Sequence, residues 1–104
     1  MIESLRHLGI VVRDMDKSLK FYKYLGYEVV SDMKEDSKFI DKILGLKDSD
    51  LRTVKMTCGN NHMIELLDYS NPISDDNSKR VNYVGCSHFA LSVSHIDSLY
   101  ENLL

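Results

Sequence analysis

The run Leu5-Arg6-His7-Leu8-Gly9-Ile10-Val11-Val12 is largely apolar and ends β-branched, with Arg6 and His7 near its start, and predicts a half-to-fully buried strand. Asp14 and Asp16 follow, both able to accept from the free amides of a helix. The period then changes. Met15, Leu19, Tyr22 and Leu25, with Phe21 beside them, form one apolar face, while Lys17, Lys20 and Lys23 face outward. Gly26 is the natural left-handed stop, and Tyr27 to Met33 reads as a second strand.

Residues 34–50 are a polar insertion with a short helix, Lys38 to Leu44. Its Phe39, Ile40, Ile43 and Leu44 share one side, so the insertion is expected to cover a face of the sheet and to end at Gly45. Arg52 to Cys58 alternates as a third strand, Gly59-Asn60-Asn61 supplies hairpin chemistry, and Met63 to Tyr69 is the fourth strand. In that strand Met63, Glu65 and Leu67 point one way, and Ile64, Leu66 and Asp68 the other. Residues 70–84 are a polar linker holding the only proline, Pro72.

Past the linker the opening pattern returns. Laying His88 on His7 places Leu91 on Ile10, Val93 on Val12, Ile96 on Met15 and Asp97 on Asp16, without a gap. Strand, histidine, turn and helix start coincide, which marks a repeated module. The chain therefore divides into a complete β-α-β-β-β module over 1–69, the linker over 70–84, and the start of a second module over 85–104, a strand from Gly85 to Val93 and a helix from about Ile96. The class is α+β.

Composition narrows the functions. At 104 residues, 43% apolar and 28% charged, the chain suits an ordinary globular domain. A net charge of −3 gives no reason to expect a nucleic acid or an anionic membrane as partner. No apolar run reaches membrane-spanning length, and Met1-Ile2-Glu3-Ser4 lacks signal-peptide character. Two cysteines, Cys58 and Cys86, lack the C-x-x-C spacing and are too few for a disulfide framework, so a reduced, cytoplasmic setting is the default.

Three polar residues stand out on this framework. His7 and His88 hold equivalent strand positions, and if the modules pair, equivalent strands lie side by side. Glu65 interrupts the apolar run Met63-Ile64-Glu65-Leu66-Leu67, where a carboxylate is costly unless it is paired, hydrogen-bonded or bound to a cation. Two imidazoles and a carboxylate from three strands suit a divalent metal with open positions. The plainer alternative for Glu65 is an ion pair with Arg6 or Arg52. His62 and His95 read as exposed turn residues, and the two cysteines as small buried apolar groups.

The chain resembles the glyoxalase/bleomycin resistance/dioxygenase group, the vicinal oxygen chelate superfamily. The resemblance is carried by Leu5 to Val12, by Ser18-Leu19-Lys20-Phe21-Tyr22 with Leu25-Gly26-Tyr27, by Ile64-Glu65-Leu66-Leu67, and by Ser87-His88-Phe89-Ala90-Leu91-Ser92-Val93. It implies paired βαβββ modules forming a cupped sheet around one metal, the second module here truncated after β-α. The glyoxalase I-like pattern places His or Gln on the first strand, Glu on the fourth, His on the fifth and Glu on the eighth. His7, Glu65 and His88 match the first three as metal ligands. The fourth falls beyond Leu104, so the site is expected to be completed by further chain or by another copy.

The resemblance further implies a metal-dependent lyase or isomerase of the lactoylglutathione lyase type. A divalent ion (Ni, Co, Zn, Mn or Fe) would stabilise an enediolate while Glu65 moves a proton next to a carbonyl. A hemithioacetal or thioester is the implied small-molecule substrate. A second module without its last three strands leaves an open edge and exposed apolar surface, so the chain is expected to form a homodimer or to be part of a longer protein. Three alternatives share the resemblance. They are a methylmalonyl-CoA epimerase-like isomerase, which commonly has Gln where Glu65 stands, a non-haem iron ring-cleaving dioxygenase, and a metal-free binding or resistance protein.

Overall fold

A computed structural model describes residues 1–59, 62–75 and 79–104, so Asn60 and Asn61 of the expected hairpin turn lie outside the described residues. The element order is β1 (Leu8–Val11), α1 (Met15–Tyr24), β2 (Glu28–Glu35), α2 (Lys38–Leu44), β3 (Asp50–Cys58), β4 (His62–Asn71) and α3 (Ile96–Leu103). The chain divides into two units, Met1–Ser74 and Asp75–Leu104.

In the first unit four strands form one sheet in the order β1-β4-β3-β2. β1 runs parallel to β4, with Gly9 opposite Glu65, and the β2–β3 and β3–β4 pairs are antiparallel. The helix α1 packs on one face. Its Met15, with Tyr27 and the strand residues Val54, Met56, Ile64 and Leu66, forms the buried cluster, and Ile10, Val12, Leu19, Tyr22 and Leu25 close around it. Fully burying a side chain of the Ile64 or Leu66 kind stabilises by about 1.5–3 kcal/mol, so this face supplies most of the unit's hydrophobic drive.

Local chemistry sets the helix limits. The Asp14 carboxylate accepts from the Lys17 amide at 3.1 Å, and Asp68 on β4 accepts from the Met15 amide at 3.2 Å. Two acceptors thus meet the positive end of α1. At the other end Gly26, at φ 104, lets the Gly26 amide reach Lys23 O and the Tyr27 amide reach Tyr22 O, a Schellman closure. For α2 the Ser37 hydroxyl caps the start and Gly45, at φ 67, ends it.

Several expectations need correction. The first strand covers only Leu8–Val11 and is a sheet edge, largely exposed, because one flank and much of one face have no neighbour within the described unit. Strand pairing takes in Lys34, Glu35 and Asp50, since β2 pairs Lys34 with Arg52 and Glu35 with Leu51. The helix α2 lies where it was expected but does not bury its apolar side, for Phe39 is 69% and Ile43 62% exposed. It is the turn beyond α2 that reaches the sheet, where Leu46 meets a cavity it shares with Tyr69.

The second unit contains α3. Turns close from Arg80 O to the Tyr83 amide and from Tyr83 O to the Cys86 amide. Residues 85–93, expected as a strand, carry none among the described residues, because a strand exists only with a hydrogen-bonded partner and none is supplied there. Cys86 is exposed, against the small buried apolar group expected of it, while Cys58 is half-buried and packs against the core cluster. No described helix is long and apolar enough to cross a membrane.

Candidate metal centre

The face of the sheet opposite α1 carries the polar residues of interest. Gly9, Glu65, Lys55 and Ser31 stand in one row across β1, β4, β3 and β2, because each is paired with the next in register. His7 precedes Gly9 by two positions and so shares its face. A Cβ built at Gly9 would stand 3.3 Å from Leu67 Cδ1, so the glycine lets that side chain approach β1 closely.

Within that row His7 Nε2 lies 3.9 Å from Glu65 Oε1, and Lys55 Nζ lies 3.8 Å from Glu65 Oε2. The Glu65 side chain is 17% exposed, with His7 at 32% and Lys55 at 35%. A half-buried carboxylate is thus flanked by an imidazole from one strand and an ammonium from another, which answers the cost of placing it in an apolar run. The ion pairs considered for Glu65 from sequence are replaced. Arg52 faces the other way and holds Asp32 through Nε at 3.0 Å and Nη2 at 2.7 Å, with Asp16 at 3.7 Å. Those two hydrogen bonds and the guanidinium charge hold the Asp32 carboxyl below its ordinary value.

The pair His7–Glu65 has the donor chemistry of a divalent ion. Two ligand atoms bound at about 2.0–2.2 Å to one ion span at most roughly 4.4 Å, and 3.9 Å falls inside that reach. Imidazole nitrogen and carboxylate oxygen suit Zn, Co, Ni, Mn or Fe. His88 belongs to the Asp75–Leu104 unit, in a segment free of helix and strand. Among the described residues no group of three or more His, Cys, Asp or Glu side chains gathers as a ready metal cage.

Two further features flank this row. Along the same face, four residues beyond His7 and Glu65, Val11 and Tyr69 line a cavity of about 540 Å³ with Leu46, Pro72, Ile73 and Ser74. Four residues of strand span roughly 13 Å. On the α1 side, the Tyr27 hydroxyl lies 2.6 Å from His62 Nε2, and the ring of Tyr22 stands edge-on to Tyr27 at 5.6 Å. Burial raises both phenols above their ordinary value, with Cys58 and Tyr22 adding to the effect at Tyr27.

Sequence reasoning passed over Lys55 and the tie between Tyr27 and His62. The alternation Thr53, Lys55, Thr57 against Met63, Glu65, Leu67 carried the signal for Lys55, but reading it needs the register of the hairpin. His62 is exposed as expected, yet its ring is engaged.

A model of the Glyoxalase/Bleomycin resistance protein/Dioxygenase superfamily matches residues 4–104. No curated protein sequence matches the chain. Among solved structures, a glyoxalase family protein from Bacillus cereus superposes with a TM-score of 0.84 at 19% identity, covering 99% of this chain and 71% of its own. A second, SMU.1112c, superposes with a TM-score of 0.57 at 17% identity, covering 99% of this chain and 74% of its own. These likenesses establish the α+β class and the glyoxalase-like βαβββ module.

Proposed function

The chain belongs to the Glyoxalase/Bleomycin resistance protein/Dioxygenase superfamily, whose members are generally metal-dependent and act on small molecules, and we propose that it is a metal-dependent lyase or isomerase of the lactoylglutathione lyase type. The observation that carries this reading is the 3.9 Å approach of His7 Nε2 to Glu65 Oε1 on the face of the sheet opposite α1. Parallel pairing of β1 with β4 brings an imidazole and a carboxylate together from residues far apart in sequence.

His7 and Glu65 would hold a divalent ion. The ion, when bound, polarises a substrate carbonyl and so acidifies the neighbouring C–H. Glu65 would take that proton and return it to the adjacent carbon, the role a carboxylate beside a polarised carbonyl can serve as general base. The apolar walls at Val11, Leu46 and Ile73, on the same face, suit the body of a hemithioacetal or thioester whose reacting carbons lie at Glu65.

The test begins with metal content of protein purified without chelator. Near-stoichiometric divalent metal is expected, reduced at least tenfold in H7A and in E65A, with both variants retaining a cooperative melt. Hemithioacetal isomerisation and acyl-CoA epimerisation are then assayed on the loaded protein. A wild-type chain that takes up no metal, in the presence of added Co2+ or Ni2+, overturns the proposal.

A further inference from the structure

Most walls of the cavity at Val11 and Tyr69 come from β1, from β4 and from the segments that follow them, but Leu46 comes from the turn between α2 and β3. The helix does not hold that turn in place, since Phe39 and Ile43 are exposed. Asp41 does so instead. Its main-chain carbonyl accepts from the Gly45 amide and from the Leu46 amide, the latter at 3.1 Å. Its carboxylate accepts from the Ser49 amide through Oδ1 at 2.8 Å and from the Asp48 amide through Oδ2 at 3.1 Å. One residue thus binds the turn on both sides of Leu46. Asn71 ties the same turn to the end of β4, its Nδ2 donating to Asp48 O at 2.6 Å.

We propose that Asp41 is a positioning residue that sets the chain-length selectivity of this cavity: its carboxylate holds the turn over residues 45–49 and so keeps Leu46 against the acyl chain of a thioester. This inference rests on the reading of the cavity as the place of the substrate's apolar body. A methylene taken fully from water into apolar surroundings gains roughly fourfold in affinity. That gain is realised only where walls close on the chain, and a cavity of about 540 Å³ has room for one. With Asp41 truncated, the Asn71 bond and the main-chain bonds remain, but the Asp48 and Ser49 amides lose their acceptor. Leu46 then moves with a looser turn, and each methylene meets less wall. Asparagine is a milder change, since it keeps one acceptor oxygen and sets an amide donor against the other N–H.

Displacement of anilinonaphthalene sulfonate by straight-chain N-acetylcysteamine thioesters, from acetyl to decanoyl, tests this on the wild-type chain and on D41A, D41N, L46A and I43S. Affinity in the wild type is expected to rise roughly threefold for each added methylene. In D41A and L46A the rise should fall below about twofold, so the long thioesters lose far more than acetyl does. D41N should change in the same direction and serves if D41A folds poorly. I43S, altered on the exposed side of α2, should match the wild type. An unchanged rise in D41A and D41N, with a lowered one in L46A, overturns the inference and leaves the cavity as a ligand site. An equal loss at every chain length, with a lower melt, overturns it too and assigns Asp41 to stability alone. A wild-type chain that binds no thioester of any length overturns the reading of the cavity, and this inference with it. The thioesters bind through their chains without metal, so the metal content at His7 and Glu65 is a separate result.

Discussion

Arg52 and Lys55 stand three positions apart on one strand, yet they serve opposite faces, and alternation is the reason. Arg52 lies on the α1 side and grips Asp32 in a forked, two-bond contact, while Lys55 lies on the open side beside Glu65. The Arg52–Asp32 pair makes a pH prediction with a definite sign. Its hydrogen bonds and charge hold the Asp32 carboxyl below the ordinary range. The stabilisation is therefore complete above about pH 3.9, the usual aspartate value, and is lost as pH falls through the lower folded value. The pair is exposed, so its worth is about 0.5 kcal/mol after screening. R52M should unfold at lower urea than the wild type at pH 6, and the difference should vanish near pH 2. A gap that persists at pH 2 would assign the effect to packing by the arginine stem instead.

Among the elements, α1 and α2 show how one amphipathic pattern leads to two outcomes. Both carry apolar residues at helical spacing, and both have a side-chain cap at the start and a left-handed glycine after the end. The difference is what each meets. α1 lies on the sheet and buries Met15 against Ile64 and Leu66, whereas Phe39 and Ile43 of α2 are exposed. Substitution should separate them by unfolding free energy. L66A is expected to cost about 2–5 kcal/mol through the cavity it leaves. I43S should stay within about 0.5 kcal/mol, as exposed positions do. A loss above 1 kcal/mol for I43S in a dilute, monomeric sample would show that α2 is covered after all.

For the molecule as a whole, the Met1–Ser74 sheet has β1 at one edge, with Leu8 and Val11 exposed, and Val30 and Met33 exposed on β2 at the other. An exposed apolar edge invites pairing with a second chain. Homodimerisation is the expected outcome, measured by sedimentation velocity at micromolar concentration. A single species at the mass of the 104-residue chain would refute it. If dimers form, a charged substitution at the edge, V11K, should shift the distribution towards monomer.

The amino-acid sequence by itself determined the family, the order of strands and helices in the first module, the limits of α2, and which β4 residues face the core, because periodicity and capping are local. Lys38 to Leu44 is helical and Ile64 and Leu66 are buried, as their spacing requires. Only the tertiary structure decided which residues meet across the sheet. Glu65 stands between His7 and Lys55 because β4 is inserted between β1 and β3, and neither that strand order nor the hairpin register is written in any one segment. It also decided where patterns stay unfulfilled. Residues 85–93 have a strand's alternation without a described strand partner, and α2 has an apolar side without a cover. A pattern along the chain states what a segment is able to bury or pair, and the presence of a partner is a property of the assembled fold.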